Sequence, residues 1–392
     1  MNLGLSVEAE RYRDGLRDWV SANLPPQWRD IPVGTGDDQT YVAMRRQWGR
    51  RLFEAGWLAP HWPTEYGGLG LGADAQLAFV EMLVEAGAPE PMNNNGMGIF
   101  APALMRFGTD EQCARYLKPM LSHDDIWCQG FSEPQAGSDL AGLSTRAIPR
   151  GDRLLVSGQK VWTSFALFAE RCYLLVKVAG SPGTTLVVVH MDRPGVTVRP
   201  LRNITGTSEF CEVFFDEVVV DAADVVGGIG GGWKVATYAL ARERSSALAQ
   251  RSLQLTRELT RMMVALGGPG RLEGAERALV DAFVRTRVVD STVRRVFALS
   301  ADDTEPGFLA PIAKILWSES HQKQLAVLLE AAGPEVASAG ADWSEWTRSL
   351  LFARAETIYG GTSEIQRNLI AKALGLPSAL AIRLRCISLV PP

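Results

Sequence analysis

Histidine and cysteine are scarce in this sequence, and none is spaced for metal binding or for a disulfide framework. The five cysteines and four histidines lie far apart, with no CxxC pair and no HExxH motif. We therefore predict no metal site and no structural disulfides, and reduced thiols fit a cytoplasmic protein. The N-terminal segment MNLGLSVEAERYRDGLRDWV also lacks the basic start and apolar run of a secretory signal.

A basic surplus and long apolar runs are missing as well. The 40 basic and 44 acidic side chains give a net charge of −4, whereas a nucleic-acid-binding protein normally has a basic face. No apolar run reaches the ~18 residues that a membrane span needs. Because GxGxxG after a strand, GxxxxGK[ST] and a complete GxSxG are all absent, we expect no Rossmann, phosphate-loop or α/β-hydrolase site. We predict neither a nucleic-acid nor a membrane partner.

What the sequence does contain is a change of hydrophobic period. Residues 1–125 have helical periodicity interrupted by Gly/Pro loops, and residues 126–230 contain β-branched runs of period two separated by turns. Residues 231–377 are helical again, with one continuous helical pattern over 344–373, and residues 378–392 form a tail. This pattern predicts a helical domain, an antiparallel β-barrel or sandwich, and a second helical domain.

Five segments resemble, in the same order, those of the acyl-CoA dehydrogenase family. WCQGFSEPQAGSDLAGLSTR (127–146) is similar to the flavin-binding signature of that family, and SGQKVWTSF (157–165) resembles the strand pair that follows it. The other three are GWLAPHWPTEYGG (56–68), TVRPLRNITGTSEFCEVFFDEVVV (197–220) and AETIYGGTSEIQRNLIA (355–371). The resemblance extends from about residue 10 to Pro377.

This resemblance implies an α+β multidomain fold with an N-terminal helical domain, a central antiparallel β-barrel domain and a C-terminal four-helix bundle. It also implies FAD, an acyl-CoA substrate desaturated between its α and β carbons, and an electron-transferring flavoprotein as electron acceptor. The family forms homodimers or tetramers in which the partner subunit helps to hold the FAD. The desaturation also requires a cofactor, because no amino-acid side chain accepts a hydride, whereas a flavin does.

Within the flavin signature, the resemblance places Phe131 and Ser132 against the pyrimidine end of the flavin. Trp162 is expected to pack against the flavin ring, with Thr163 and Ser164 making polar contacts near it. Each residue also has an ordinary structural interpretation. A serine can satisfy the backbone of a turn, and a tryptophan can simply be part of the core.

Other site residues follow from the remaining segments. Ser138 corresponds to a residue near the thioester and pantetheine part of the substrate. Thr362 maps to a residue that binds the phosphate–ribose part of FAD, with Glu364 close by, although ThrSerGlu also suits a helix N-cap. Gly360 stands where many members of the family have their catalytic glutamate. We expect the backbone near Gly360 or Glu243 to contact the thioester oxygen.

Since position 360 is glycine, we expect the base on an earlier helix, as in members that resemble isovaleryl-CoA dehydrogenase. These members carry a glutamate just before an arginine, and this sequence has Glu243 followed by Arg244. Ala236, Leu240 and Glu243 fall on one helical stripe. On that apolar face the carboxylate loses hydration, which raises its pKa toward the range of a general base. Arg244 is expected to brace the site.

Two regions depart from the family pattern. RMMVALGGPGRLEG (261–274) and LLEAAGPEVAS (328–338) keep only fragments of the motifs that touch the partner's FAD. This resembles actinobacterial members that assemble as hetero-oligomers, so the chain that completes the FAD site stays open. Gln135 also stands where the family usually has glycine.

The motifs leave other functions open. The same desaturation on an acyl group bound to a carrier protein is one, because the phosphopantetheine arm is common to both substrates. A non-catalytic subunit that supports the flavin site of a neighbour is another, and a flavin monooxygenase on the same fold is a third. Retention of Glu243, Ser132 and Trp162 favours an active dehydrogenase over these last two. Chain length and branching of the acyl group are not encoded in any motif.

Overall fold

A computed structural model of the chain describes residues 4–29, 31, 39–266, 276–301, 307–333 and 344–377, without the side chains at 243–247, 265, 300, 301 and 344. The α-helices in these residues are α1 (Val7–Asn23), α2 (Gln39–Glu54), α3 (Ala73–Glu85), α4 (Ala101–Phe107), α5 (Asp110–Leu121), α6 (Gly232–Ala265), α7 (Glu276–Ala301), α8 (Leu309–Ala332), α9 (Ser344–Ala353) and α10 (Ser363–Ala373). The strands are β1 (Trp127–Gly130), β2 (Arg146–Arg150), β3 (Arg153–Ser164), β4 (Arg171–Val178), β5 (Thr185–His190), β6 (Val196–Leu201), β7 (Phe210–Asp221) and β8 (Val225–Val226).

Side-chain caps fix where several helices begin. The Ser6 hydroxyl accepts a hydrogen bond from the Ala9 N–H at the start of α1. Thr109 and Gln112 form a capping box at the start of α5, in which each side chain bonds the backbone of the other residue. These bonds satisfy backbone N–H groups that have no partner inside the helix.

The eight strands form one sheet in the order β6-β7-β3-β2-β4-β5-β8, with β1 pairing to β4. Most neighbours are antiparallel, but β1 and β2 both run parallel to β4. In the described residues β6 and β8 stand at the two ends of this order, so the sheet is not a closed barrel. The predicted strands are present, and the barrel is not confirmed. Alternating hydrophobicity identifies strands, whereas closure depends on strand number and register.

The inward faces of these strands form a single apolar core. Leu154 and Val156 of β3 pack with Val213 and Phe215 of β7 in this cluster. The alternation along β3 and β7 follows the period of two that the sequence contains. None of the helices in the described residues combines the length and apolar composition that crossing a bilayer requires.

The chain divides into two compact units. The terminal unit consists of Met1–Leu24, Leu71–Gly87 and Arg244–Pro392, and the central unit consists of Pro25–Gly70 and Ala88–Glu243. The terminal unit has an apolar core that includes Leu77, Leu255, Val289, Val293 and Trp317. The domain boundaries proposed from the sequence stay a prediction.

One helical prediction needs correction in the terminal unit. The continuous helical pattern at 344–373 is divided in the structure into α9 and α10, with residues 354–362 forming turns between them. Gly360 and Gly361 adopt φ values of 63° and 90°. A right-handed helix cannot continue through such a backbone, and glycine adopts it without steric cost.

Candidate active site

Phe131 and Ser132 follow directly after β1 and are tied to β3. The Val161 N–H donates to the Ser132 carbonyl at 2.9 Å, and the Lys160 ammonium donates to the Phe131 carbonyl at 3.1 Å. Phe131 is buried, and its ring meets Tyr173 edge to face, with centroids 5.6 Å apart. The structure therefore brings together the two segments that the sequence predicts to contact the flavin.

A buried ion pair anchors this loop. The side chains of Lys160 and Glu133 are 0% and 1% exposed, and their charged atoms lie 2.8 Å apart. Glu133 also accepts hydrogen bonds from Gln135, from both the N–H and the hydroxyl of Ser144, and from the Thr145 N–H. Burial alone would raise the pKa of Glu133, but the lysine and these donors lower it to about 2. Glu133 is therefore charged at neutral pH and holds the loop together.

Sequence reasoning missed Glu133 and Lys160, although one signal was present. Leu154, Val156 and Lys160 all lie at buried positions of β3 that share the inward period of two. A lysine on an inward face requires a buried partner. Gln135, which departs from the family pattern, is one of the donors to Glu133.

Trp162 lies at an irregularity of β3. The pairing of β3 with β7 shifts register between Lys160 and Thr163, and Trp162 adopts a left-handed φ of 59°. Its side chain is 60% exposed and meets the Phe210 ring edge to face at 6.1 Å. A left-handed backbone at a bulky residue is strained, and such residues cluster at functional sites. The exposed ring is therefore not the core aromatic of the alternative interpretation.

Thr163 carries a polar atom that lacks a partner. Its side chain is buried, and no hydrogen-bond partner for its hydroxyl is found in the part of the chain that the structure describes. A buried hydroxyl without a partner costs ~1–3 kcal/mol, so a ligand that bonds it would recover that energy. Ser164 is half-buried and ends β3 opposite Phe210.

Ser138 has a different environment. It lies on an exposed stretch of the loop after β1. The structure does not bring it against Phe131 or Trp162 through any hydrogen bond in the described residues. Its contact with the substrate stays a prediction.

The turns before α10 contain the other predicted cofactor residues. The Thr362 hydroxyl accepts from the Ile365 N–H at 3.3 Å, which makes Thr362 the N-cap of α10. The Gln366 amide donates to the Gly360 carbonyl at 2.8 Å and fixes that peptide. Glu364 lies in the first turn, where a carboxylate interacts favourably with the helix dipole. The N-cap interpretation of Thr362 is confirmed, and its role toward FAD stays a prediction.

The side chains of Glu243 and Arg244 lie outside the described residues. Their backbone belongs to α6, which is continuous from Gly232 to Ala265. On the preceding turns Ala236 is buried and Leu240 is half-buried. The apolar face predicted next to Glu243 is thus present up to residue 240, and the role of the glutamate stays a prediction.

The residues in each unit fit parts of FAD. In the central unit, an exposed aromatic ring at Trp162 adjoins the buried and unpartnered hydroxyl of Thr163, as suits a planar heterocycle with polar edges. In the terminal unit, the turn that contains Gly360 and Gly361 leads into the N-terminus of α10, where backbone N–H groups favour the binding of phosphate. These two groups of residues belong to separate units.

Comparison with known proteins identifies a family. The sequence matches the acyl-CoA dehydrogenase N-terminal domain over residues 6–124, the middle domain over residues 128–218 and the C-terminal domain over residues 230–375. These matches confirm the resemblance found in the motifs. They also agree with the observed order of N-terminal helices, central sheet and C-terminal helices.

Individual relatives agree with the family match. The chain is 36% identical over 386 residues to acyl-CoA dehydrogenase IpdE1 of Mycobacterium tuberculosis, which covers 94% of this chain and 98% of the relative. The solved structure of the Tcur3481-Tcur3483 steroid ACAD is similar with a TM-score of 0.83 and 26% identity, covering 96% of this chain and 100% of the other. The ChsE4-ChsE5 complex of M. tuberculosis is similar with a TM-score of 0.80 and 27% identity, covering 96% and 99%.

Proposed function

The chain belongs to the acyl-CoA dehydrogenase family, and on that premise we propose that it oxidises an acyl-CoA thioester to the trans-2-enoyl thioester. The observation that carries the proposal is the match of all three domains of the family, in order, along one chain. The bulge at Trp162 and Thr163 supports it, because it offers a ring and an unsatisfied hydroxyl to a cofactor.

In this reaction Glu243 acts as the base. Its carboxylate oxygen takes the proton from the α carbon, and the electron pair of that C–H bond forms the new double bond to the β carbon. FAD, when bound, accepts the hydride that leaves the β carbon. The buried Val235, Ala236 and Ala239 on the preceding turns support a poorly hydrated environment on this helix. Such an environment favours proton transfer at neutral pH.

Other residues hold the cofactor and the thioester. Phe131, Ser132 and the Trp162–Ser164 segment are proposed to contact the flavin ring, and Thr362 with Glu364 the phosphate–ribose portion. The hydrogen bond from Gln366 to the Gly360 carbonyl fixes a peptide in the position where we propose a contact to the thioester. Hydrogen-bond donors whose positions are fixed before the reaction stabilise the negative charge that develops on the thioester oxygen. Ser138 is proposed to contact the pantetheine arm.

The test is a Glu243→Gln variant of the full chain loaded with FAD. We expect it to retain the flavin and its fold but not to bleach when an acyl-CoA is added, because glutamine cannot accept the proton. Glu330→Gln, on an exposed position of α8, is the matched control and should bleach like the wild type. A Glu243→Gln variant that bleaches at the wild-type rate would remove this glutamate from the mechanism.

We also propose that a companion chain of the same family completes the FAD site. The solved structures named Tcur3481-Tcur3483 and ChsE4-ChsE5 each combine two different chains, and two segments of this sequence keep only fragments of the partner-contact motifs. Purifying this chain alone and together with a companion chain distinguishes a complete FAD site in a homo-oligomer from one that needs the mixed complex. A yellow homo-oligomer contradicts this part of the proposal. If only the mixed complex is yellow, Glu243→Gln in that complex decides whether this chain is catalytic or only supports its neighbour.

The choice of thioester follows from one relative. Because a similar solved structure is named a steroid ACAD, we propose that a steroid-derived acyl-CoA is a better substrate than a straight-chain one. Flavin bleaching with both thioesters, at equal concentrations, tests this choice. Faster bleaching by the straight-chain acyl-CoA would contradict it.

A further inference from the structure

A histidine of α8 joins two carboxylates on different elements of the terminal unit. The His321 Nδ1 atom lies 2.8 Å from Glu356 Oε2, and its Nε2 atom lies 2.7 Å from Glu258 Oε2. Glu356 belongs to the turns before α10 and is 1% exposed, while Glu258 belongs to α6. The histidine side chain itself is 12% exposed. None of the motifs of the family pattern contains His321.

The same turns are held by a buried lysine. The Lys314 ammonium, about two helical turns before His321 on α8, donates to the Glu356 carbonyl at 2.8 Å and to the Gly361 carbonyl at 2.9 Å. Lys314 is buried. Its two contacts bracket the segment 356–361, which contains Gly360 and leads directly into the N-cap of α10. We call residues 356–362 the glycine turn.

The Nδ1 atom hydrogen-bonds the Glu356 carboxylate, whereas the Nε2 atom meets Glu258 at 2.7 Å as an ion-pair contact that is not aligned as a hydrogen bond. An unprotonated ring nitrogen would repel a carboxylate oxygen at that distance, so both ring nitrogens carry a proton. Neutral imidazole has only one N–H, and imidazolium has two. His321 is therefore charged in this arrangement. Together with Lys314 it balances the charges of Glu258 and Glu356, which explains how four ionisable groups share this interior. Burial disfavours the charged ring, but the two carboxylates outweigh it and raise the pKa of His321 to about 10.

We propose that His321 is a positioning residue: its imidazolium clamps the glycine turn to α6 and α8 and so fixes the backbone that receives the cofactor phosphate and the thioester. The inference rests on the proposed function for the ligands of this turn. The clamp itself depends only on contacts within the terminal unit. The helix that receives the second contact, α6, is also the helix that carries Glu243.

Amide hydrogen exchange of the full chain tests the clamp without any ligand. The N–H groups of Ile358 and Tyr359 bond the Ala355 carbonyl, and the Ser363 N–H bonds the Thr357 carbonyl, so these amides report on the turn. In His321→Gln, which lacks the charge and has both its N–H donors on one nitrogen, we expect exchange at these amides to be at least about tenfold faster. That factor corresponds to the loss of one charge-assisted hydrogen bond.

Glu81→Gln is the matched control. It removes a carboxylate from another largely buried ion pair of the terminal unit, with Arg294 at 2.5 Å, and does not touch the turn. Its exchange at the three reporter amides should equal that of the wild type. Unchanged exchange in His321→Gln, or an equal increase in both variants, would overturn the proposal.

A second measurement addresses the ligand. FAD titration of the full chain, with its companion where needed, should give a dissociation constant at least about tenfold weaker for His321→Gln than for Glu81→Gln. Equal constants would refute a role of His321 toward the cofactor. A wild type that neither binds FAD nor oxidises any acyl-CoA would instead refute the proposed function, whatever the exchange data show.

If the His321→Gln variant does not fold, the exchange experiment uses Glu258→Gln in its place. This variant removes only the α6 carboxylate and leaves His321 paired with Glu356. We expect faster exchange at Ile358 and Tyr359, by a smaller factor than for the full loss of the imidazolium. Exchange equal to that of the wild type would show that α6 does not hold the turn and would contradict the clamp.

Discussion

The Lys160→Met substitution removes one half of the buried ion pair and keeps a side chain of similar length. Glu133 then remains in the interior of the central unit with its hydrogen bonds from Ser144, Thr145 and Gln135, but without a countercharge. The substitution also removes the donor to the Phe131 carbonyl. We expect a large loss in the free energy of unfolding, because an unpaired buried charge is one of the few changes that cost several kcal/mol.

Removing one partner of a buried ion pair typically costs about 3–5 kcal/mol. The pKa of Glu133 falls from its ordinary 4.5 to about 2 in the folded chain, because Lys160 and the Ser144 and Thr145 donors together outweigh burial. This shift corresponds to roughly 3 kcal/mol of stabilisation of the charged form, of which Lys160 supplies a part. Because the pKa is lowered by folding, this stabilisation is complete above about pH 4.5 and is lost as the pH falls through about 2.

Urea unfolding of the full chain, followed by tryptophan fluorescence, measures the effect. The free energy of unfolding is obtained from the midpoint and the slope of the transition. Lys160→Met should lose about 3–5 kcal/mol. The double variant Glu133→Gln/Lys160→Met should recover a large part of that loss, because no charge is left buried. Lys177→Met, at an exposed position of β4, should stay within about 0.5 kcal/mol of the wild type.

Two results would refute this reasoning. If Lys160→Met unfolds within about 0.5 kcal/mol of the wild type, the pair does not stabilise the central unit. If the double variant is as unstable as the single one, the cost does not come from the unpaired carboxylate. In that case the lost hydrogen bond to Phe131 or altered packing would be responsible.

Three further predictions concern other positions. Gly49→Ala would place a Cβ 2.1 Å from Nε2 of the buried His123, so we expect a loss of about 1–3 kcal/mol by urea unfolding, whereas Gly137→Ala, which meets nothing within 4 Å, should be neutral. Thr362→Ala removes the N-cap of α10 and should cost about 1 kcal/mol, while Thr362→Ser should retain it; equal melting temperatures for the two variants would contradict the cap. The Glu258 and Glu356 carboxylates outweigh burial and raise the pKa of His321 from 6.5 to about 10. The stability from this shift is therefore complete below about 6.5 and lost as the pH rises through about 10, so the melting temperature of the wild type should fall more steeply between those values than that of His321→Gln.

Local signals in the sequence predict helices well where periodicity and end signals agree. Residues 1–125, for which the sequence predicts helices separated by loops, contain α3 and α5, and Thr109 caps the start of α5. The pattern at 344–373 failed at one place only: α9 already ends at Ala353, and the positive φ values of Gly360 and Gly361 prevent a helix from running through the turns before α10, although apolar periodicity continues across them. Two adjacent glycines were the available warning.

Strand pairing was less accessible to sequence reasoning. β3 pairs with β7, about fifty residues further along the chain, and β4 pairs in parallel with both β1 and β2. Period two identifies each strand but contains no information on its neighbour. An open sheet and a closed barrel therefore give the same local pattern in the sequence. Only the observed order of strands distinguishes the two architectures.

In the candidate site, too, residues that lie in motifs could be predicted from the sequence, and residues whose partners are distant in sequence could not. Motifs indicated Trp162 and Thr362, and the structure adds physical reasons at both positions, a strained exposed ring and a helix cap. Glu133 and His321 were missed, because their partners are distant in sequence and lie on other elements. His321 is separated from Glu258 by more than sixty positions, so no spacing rule connects them.

The two buried lysines have a common role that stability alone does not explain. Replacing a buried ion pair by apolar residues is often neutral or stabilising, so the stability of the central unit does not by itself require the Lys160–Glu133 pair. An apolar side chain, however, cannot donate to a carbonyl. Lys160 donates to Phe131 and Lys314 donates to Gly361, and each carbonyl lies in a segment predicted to contact FAD. The expected consequence is that Glu133→Gln/Lys160→Met regains stability without regaining flavin affinity, because methionine cannot donate to the Phe131 carbonyl as Lys160 does. Wild-type affinity in that double variant would mean that the charges serve the fold and not the ligand.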